Sequence, residues 1–132
     1  MTAIINASTS SGITMTADNS GVMKLQSNGV TTNALAWVNF NGTNGTIRSS
    51  YNVSSVTRGS TGTYSVAFTT TTSDANYAVS LMSSIASAAS NGTTNQLLES
   101  TTPTTSGFTW NNYKVGTGVF DPLYAHVIVF GN

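Results

Sequence analysis

The stretch Thr63–Phe68, TYSVAF, alternates without a break. Tyr64, Val66 and Phe68 fall on one side, and Thr63, Ser65 and Ala67 on the other. A period of two is that of a β-strand, whose successive side chains point to opposite faces. The rhythm returns in ANYAVSL, where Ala75, Tyr77, Val79 and Leu81 share a side. It returns again in IRSSYNV, where Ile47, Ser49, Tyr51 and Val53 do. The separators are Gly, Asn, Ser and Thr, which favour turns. Short alternating runs so punctuated predict an all-β chain with an antiparallel β-sandwich or jelly-roll-like head. The one helix candidate is SLMSSIASAAS, residues 80–90, which is Ser-rich and carries no cap.

The chain divides into two parts. In GITMTADNSGVMKLQSNGV, Ile13 and Met15 precede an ADNSG turn, and Met23 and Leu25 follow it. That pattern predicts a hairpin with two apolar residues per strand. A lone two-stranded hairpin is marginal in water and needs cover. Residues 1–34 are therefore read as a stalk or docking segment, with Ile13, Met15, Met23 and Leu25 as assembly contacts, and residues 35–132 as the head. The last run, LYAHVIVF, is apolar on both sides: Leu123, Ala125, Val127 and Val129 on one, Tyr124, His126, Ile128 and Phe130 on the other. Such a strand is covered on both faces. Either a second subunit supplies the second cover, with His126 in the interface, or the strand lies centrally within the sandwich.

Charge narrows the partners. Only 6% of residues are charged, against about 25% in an ordinary domain. Four basic and four acidic side chains cancel. Nucleic-acid binding needs clustered Lys and Arg to displace counterions, and Lys24, Arg48, Arg58 and Lys114 are scattered. A basic membrane-binding face fails on the same ground. No apolar run approaches the ~20 residues of a membrane-spanning helix, so no membrane insertion is expected. The start, MTAIINASTSS, has neither the basic nor the apolar region of a secretory signal. There is no cysteine, which removes disulfides and thiolate metal sites and suits a reducing cytosol.

Catalytic chemistry finds little to work with. The acids Asp18, Asp74, Glu99 and Asp121 sit in four separate turn-like contexts, and His126 has no ligand or carboxylate neighbour in sequence. No motif pairs a nucleophile with a base. The chain is read as a non-enzyme with no cofactor and no metal. Asp74 reads as a turn residue bonding its own backbone, and Asp121, before Pro122, as the entry to the last strand.

Asn-Gly is a strong hairpin signal, because both residues tolerate positive φ. Asn41-Gly42 and Asn44-Gly45 thus place a tight loop between AWVNF and TIRSSYNV. Asn6, Asn41, Asn44, Asn52 and Asn91 fit the N-x-[ST] pattern, but in so Asn- and Thr-rich a chain composition accounts for the matches, and no glycan is assigned. The segment AWVNFNGTNGTIRSSYNVSSVTRGSTGTYSVAFTTTTSDANYAVSL, residues 36–81, resembles a segment recurrent in virion structural proteins of tailed bacteriophages, especially those of aquatic bacteria. The ending VIVFGN and the N-terminal NASTSSGITMTADNSGVMKLQSNGV are similar to flanking parts of those proteins. Leu35 stands where that family often has Lys, and TRGSTGTY replaces an acidic turn, so the family's charges there do not carry over.

The resemblance implies a homotrimeric virion component, made in the host cytoplasm, in contact with other virion proteins of tail or capsid. Two roles follow from it. One is a fibre, spike or knob tip that binds host-surface polysaccharide. Sugar sites pair an aromatic face with amides for the hydroxyls, and GFTWNNYKVGTG offers Trp110, Asn111, Asn112 and Tyr113. Alternation sends Phe108 and Trp110 to the core, leaving Asn112 and Tyr113 as the exposed candidates. Trp37, within the shared segment, is expected to pack. The other role is a capsid decoration, cement or head-fibre protein with no ligand.

Overall fold

A computed structural model describes residues 25–27, 30–84, 92–98 and 101–131. Two antiparallel sheets pack face to face, as the alternation predicts, and there is no helix among the described residues. The strands are β1 (Gln26–Ser27), β2 (Val30–Thr31), β3 (Ala36–Phe40), β4 (Ile47–Tyr51), β5 (Val53–Ser60), β6 (Thr63–Phe68), β7 (Ala78–Ser83), β8 (Thr93–Leu97), β9 (Gly107–Lys114), β10 (Gly118–Val119) and β11 (Ala125–Phe130). The four-stranded sheet runs β4-β3-β11-β7. In the five-stranded sheet, β5, β6 and β9 are neighbours in that order. Asn111 pairs with both Thr63 and Gln96, and Lys114 with both Gly118 and Thr93. β8 therefore flanks β9 on one side, with β6 and then β10 on the other. A separate small ladder joins β1 to β2.

The core lies where the two sheets' inner faces meet. Ala36, Val38 and Phe40 of β3 and Ala125, Val127 and Val129 of β11 face Tyr64, Val66 and Phe68 of β6 and Phe108 and Trp110 of β9. Phe40 packs edge-on to Tyr64 at 5.2 Å and to Trp110 at 6.3 Å, so one ring from the first sheet covers two neighbouring rings of the second, themselves 5.1 Å apart. Phe68, Tyr77 and Phe108 form a second aromatic group at 5.5–6.1 Å. Such ring pairs add roughly 0.5–1.5 kcal/mol each beyond their area burial.

Some expectations are corrected. IRSSYNV is two strands. Ile47 opposes Phe40 and Ser49 opposes Asn39, with a bulge between, so Ile47 turns inward while Ser49 and Tyr51 share the outer face with Asn39 and Trp37. Asn52 then adopts φ 54° and carries the chain into the other sheet, where Val53 is buried. Its amide holds the corner, donating to the carbonyls of Leu35 and Thr70 and accepting from the Thr70 N–H at 2.7 Å. Ser80–Ser83, the start of the helix candidate, belongs to β7, and residues 85–90 lie outside the described residues. Ile13, Met15 and Met23 also lie outside them.

Other readings hold. The Asn41–Thr46 loop closes the β3–β4 hairpin, with Gly45 at φ 77° and its N–H on the Asn41 carbonyl. Asp74 caps its own turn through the Asn76 N–H. β11 is central, hydrogen-bonded to β3 and β7, but only its Ala125–Val127–Val129 side enters the core. Its other side stays open to solvent in the single chain.

Candidate functional site

The two outer faces of the sandwich differ in chemistry, and each collects some of the candidate residues. On the five-stranded sheet, β9 sets the pattern. Trp110 points inward and is fully buried, as alternation requires. Asn112 shares its parity and is also 0% exposed, which corrects the expectation that it is a surface residue. The Asn112 amide works between the sheets: it accepts from the Ser83 hydroxyl of β7 at 2.7 Å and donates to the Phe120 carbonyl at 2.9 Å. Replacing Asn112 by Ala removes both of these bonds and is expected to cost about 1–3 kcal/mol, read as a lowered denaturation midpoint with an unchanged slope.

Asn111 and Tyr113, the odd members of the same strand, reach the outside. Tyr113 is 42% exposed, with Val119 of β10 on one flank and Thr94 of β8 on the other. Asn111 lies between Thr63 and Gln96 and accepts from the Thr63 hydroxyl at 2.8 Å. Further along, Ser65 and Thr109 pair through their hydroxyls at 2.9 Å. They border a shallow groove of about 320 Å³ whose other wall includes Thr101, Thr104 and Ser106. The face is thus a carpet of hydroxyls and amides around one exposed tyrosine. Sequence reasoning missed Gln96 and Thr94, because TTNQL is polar on both sides and leaves no period to read.

The outer face of the four-stranded sheet is apolar. Register places Trp37 beside Ile128, and His126 between Asn39 and Met82. Trp37 is 37% exposed rather than packed into the core, correcting its expected role. Phe130, Ile128, Tyr124 and Met82 are exposed with it. His126 therefore sits on the face where an assembly contact was expected. Leu25 is exposed elsewhere, its N–H on Asn33 Oδ1 and its carbonyl bound by the Thr32 N–H.

Between the sheets' ends lies a polar hub that the sequence reading treated as a mere strand entry. Asp121 Oδ2 accepts from Arg58 Nε at 3.0 Å and Nη2 at 2.7 Å. Oδ1 accepts from the Gly62 N–H at 2.8 Å and the Tyr64 hydroxyl at 2.7 Å. Burial alone pushes the carboxyl's pKa up, but the Arg58, Gly62 and Tyr64 hydrogen bonds outweigh it and hold the group below the usual carboxylate range. Burial, reinforced by the bond to Asp121, pushes the Tyr64 phenol well above its ordinary value. The four accepted bonds saturate the carboxylate, so this hub is structural and offers no free acid.

Burial also pushes Tyr77 up to about 12, against a lesser opposing effect of the Thr104 backbone. A phenol whose pKa rises on folding contributes stability that is full below its unfolded value near 10 and is lost as pH climbs toward the folded value. Denaturation midpoints at alkaline pH are expected to fall between about pH 10 and 12 in the wild type and to fall less in Tyr77→Phe.

Among the described residues no group of three His, Cys, Asp or Glu could hold a metal ion. Compared with known proteins, the chain matches no family model, no curated protein and no solved structure.

Proposed function

We propose that the chain is a non-enzymatic structural protein of a bacteriophage particle. It is a fibre, spike or knob element that assembles as a homotrimer and touches host-surface polysaccharide. The observation that carries the receptor role is the outer face of the five-stranded sheet, where exposed Tyr113 lies among Asn111, Gln96 and Thr94. A tyrosine ring matches the apolar C–H side of a sugar, and neighbouring amides and hydroxyls match its hydroxyl groups. Almost no charge is present there, so the sugar that fits is a neutral polysaccharide.

Replacing Asn111 and Tyr113 together by Ala is expected to abolish glycan-array binding and host adsorption while leaving the melting temperature near wild type. Adsorption unchanged in the double variant would rule the site out. A second reading, a capsid decoration or cement protein without a ligand, draws on the apolar outer face of the other sheet, which suits contact with a protein shell. Under that reading the double variant binds its particle normally and no glycan is retained by the wild type.

A further inference from the structure

The apolar face carries more than exposure. Trp37, Ile128, Phe130, Tyr124 and Met82 present on the order of 500 Å² of side-chain surface, the size at which a patch on a lone subunit is commonly an interaction site. Two such patches together reach roughly the 1,000 Å² that a specific interface needs.

The charge on this face points to what covers it. Among the described residues the one charged side chain bordering it is Arg48, and that guanidinium is engaged within the chain. It donates to the Leu123 carbonyl at 2.8 Å and stands 4.5 Å from the centre of the Tyr124 ring. No carboxylate lies on the face among the residues paired across β4, β3, β11 and β7. An acidic or basic partner therefore finds nothing to pair with, whereas two copies of the same face do not repel.

The same face holds both a recess and a projection. A shallow depression of about 280 Å³ opens between β3 and β11, lined by Trp37, Asn39, His126 and Ile128. Across β11 from it, Met82 stands 66% exposed on edge strand β7. Knob and socket thus share one face, and methionine is the apolar side chain best able to adapt to an irregular recess.

We infer that this face binds a second copy of the chain, Met82 of one copy seating in the Trp37–Ile128 depression of the next. This inference rests on the assembly part of the proposed function and is independent of its glycan part.

The test uses the full chain in solution. Sedimentation velocity across a wide dilution series gives the mass, and acrylamide quenching of tryptophan fluorescence reports the face. Trp110 is buried in every state, so a concentration-dependent change in quenching reports Trp37. The expected result is a closed oligomer at high concentration with Trp37 protected, and dissociation on dilution with Trp37 exposed. Met82→Glu and Ile128→Thr, each with wild-type circular dichroism and melting, are expected to raise the dissociation midpoint roughly tenfold or more, since each spoils a desolvated apolar contact. A wild type that is monomeric at every concentration overturns the inference. An oligomer that leaves Trp37 equally quenchable also overturns it, and that reading needs no variant to fold. Lost glycan binding with the oligomer intact overturns the receptor role and leaves this interface standing.

Discussion

Trp110→Ala is expected to lower stability by about 3–5 kcal/mol, the cost of deleting a large buried ring whose surroundings cannot collapse. Trp110 is fully buried and pairs with Tyr64 across the β6–β9 ladder, with ring centroids 5.1 Å apart. Phe40, from the opposite sheet, closes on both rings. Removing the indole therefore opens a cavity at the seam of the sandwich, where backbone from both sheets resists relaxation. A small domain has about 5–15 kcal/mol to lose, so the variant should melt many degrees lower or fail to fold. Trp110→Phe is the control. It keeps a ring in place and removes an indole N–H that has no hydrogen-bond partner among the described residues. Its cost should be about 1–2 kcal/mol, a smaller volume loss partly offset by relief of an unsatisfied donor. Equal effects from Ala and Phe, measured by chemical denaturation, would contradict the packing described.

Asp121→Ala is expected to cost about 2–3 kcal/mol, because it removes the charged acceptor shared by three donors. Those donors are Arg58, the Gly62 N–H and the Tyr64 hydroxyl; Arg58 keeps the Thr61 hydroxyl at 3.0 Å and Tyr64 the Gly42 carbonyl at 3.0 Å. The Arg58 side chain is 31% exposed, which places the value below that of a fully buried pair. The pH dependence follows from the lowered carboxyl pKa. A carboxyl depressed on folding contributes stability that is full above its unfolded value near 4 and is lost as pH falls through the folded value. Wild-type stability should therefore drop below about pH 4, and Asp121→Asn should show a flatter acid limb. A variant with the same acid limb as wild type would mean that the hub does not hold the carboxylate as the geometry implies.

How much of this was readable in the sequence depends on which physical signal each element leaves. TYSVAF was legible because Tyr64, Val66 and Phe68 are buried and its ladder with β9 runs unbroken. Both outer faces were legible only in part. Alternation correctly buried Trp110, but the same parity buries Asn112, and a short polar amide does not announce that it will bridge two sheets. IRSSYNV misled because a bulge breaks parity at one residue and Asn52 changes sheet, events that alternation does not record. The doubly apolar LYAHVIVF led to the expectation of cover on both faces, and the sandwich covers only its Ala125–Val127–Val129 side. The exposed side, with Trp37 and Met82 arriving from distant strands, needed the register. Arg58 and Asp121 lie 63 positions apart, and pairing at that distance has no local signal.

The central claim is that the sandwich turns one face to a sugar and the other to its own copies. Cryo-electron microscopy of purified particles carrying this chain tests it most directly. The account predicts density at the end of a fibre or spike, with β7 and β11 facing a three-fold axis and Tyr113 turned outward. Density spread over the capsid shell, with the Trp37–Ile128 face pressed against another protein, would contradict it.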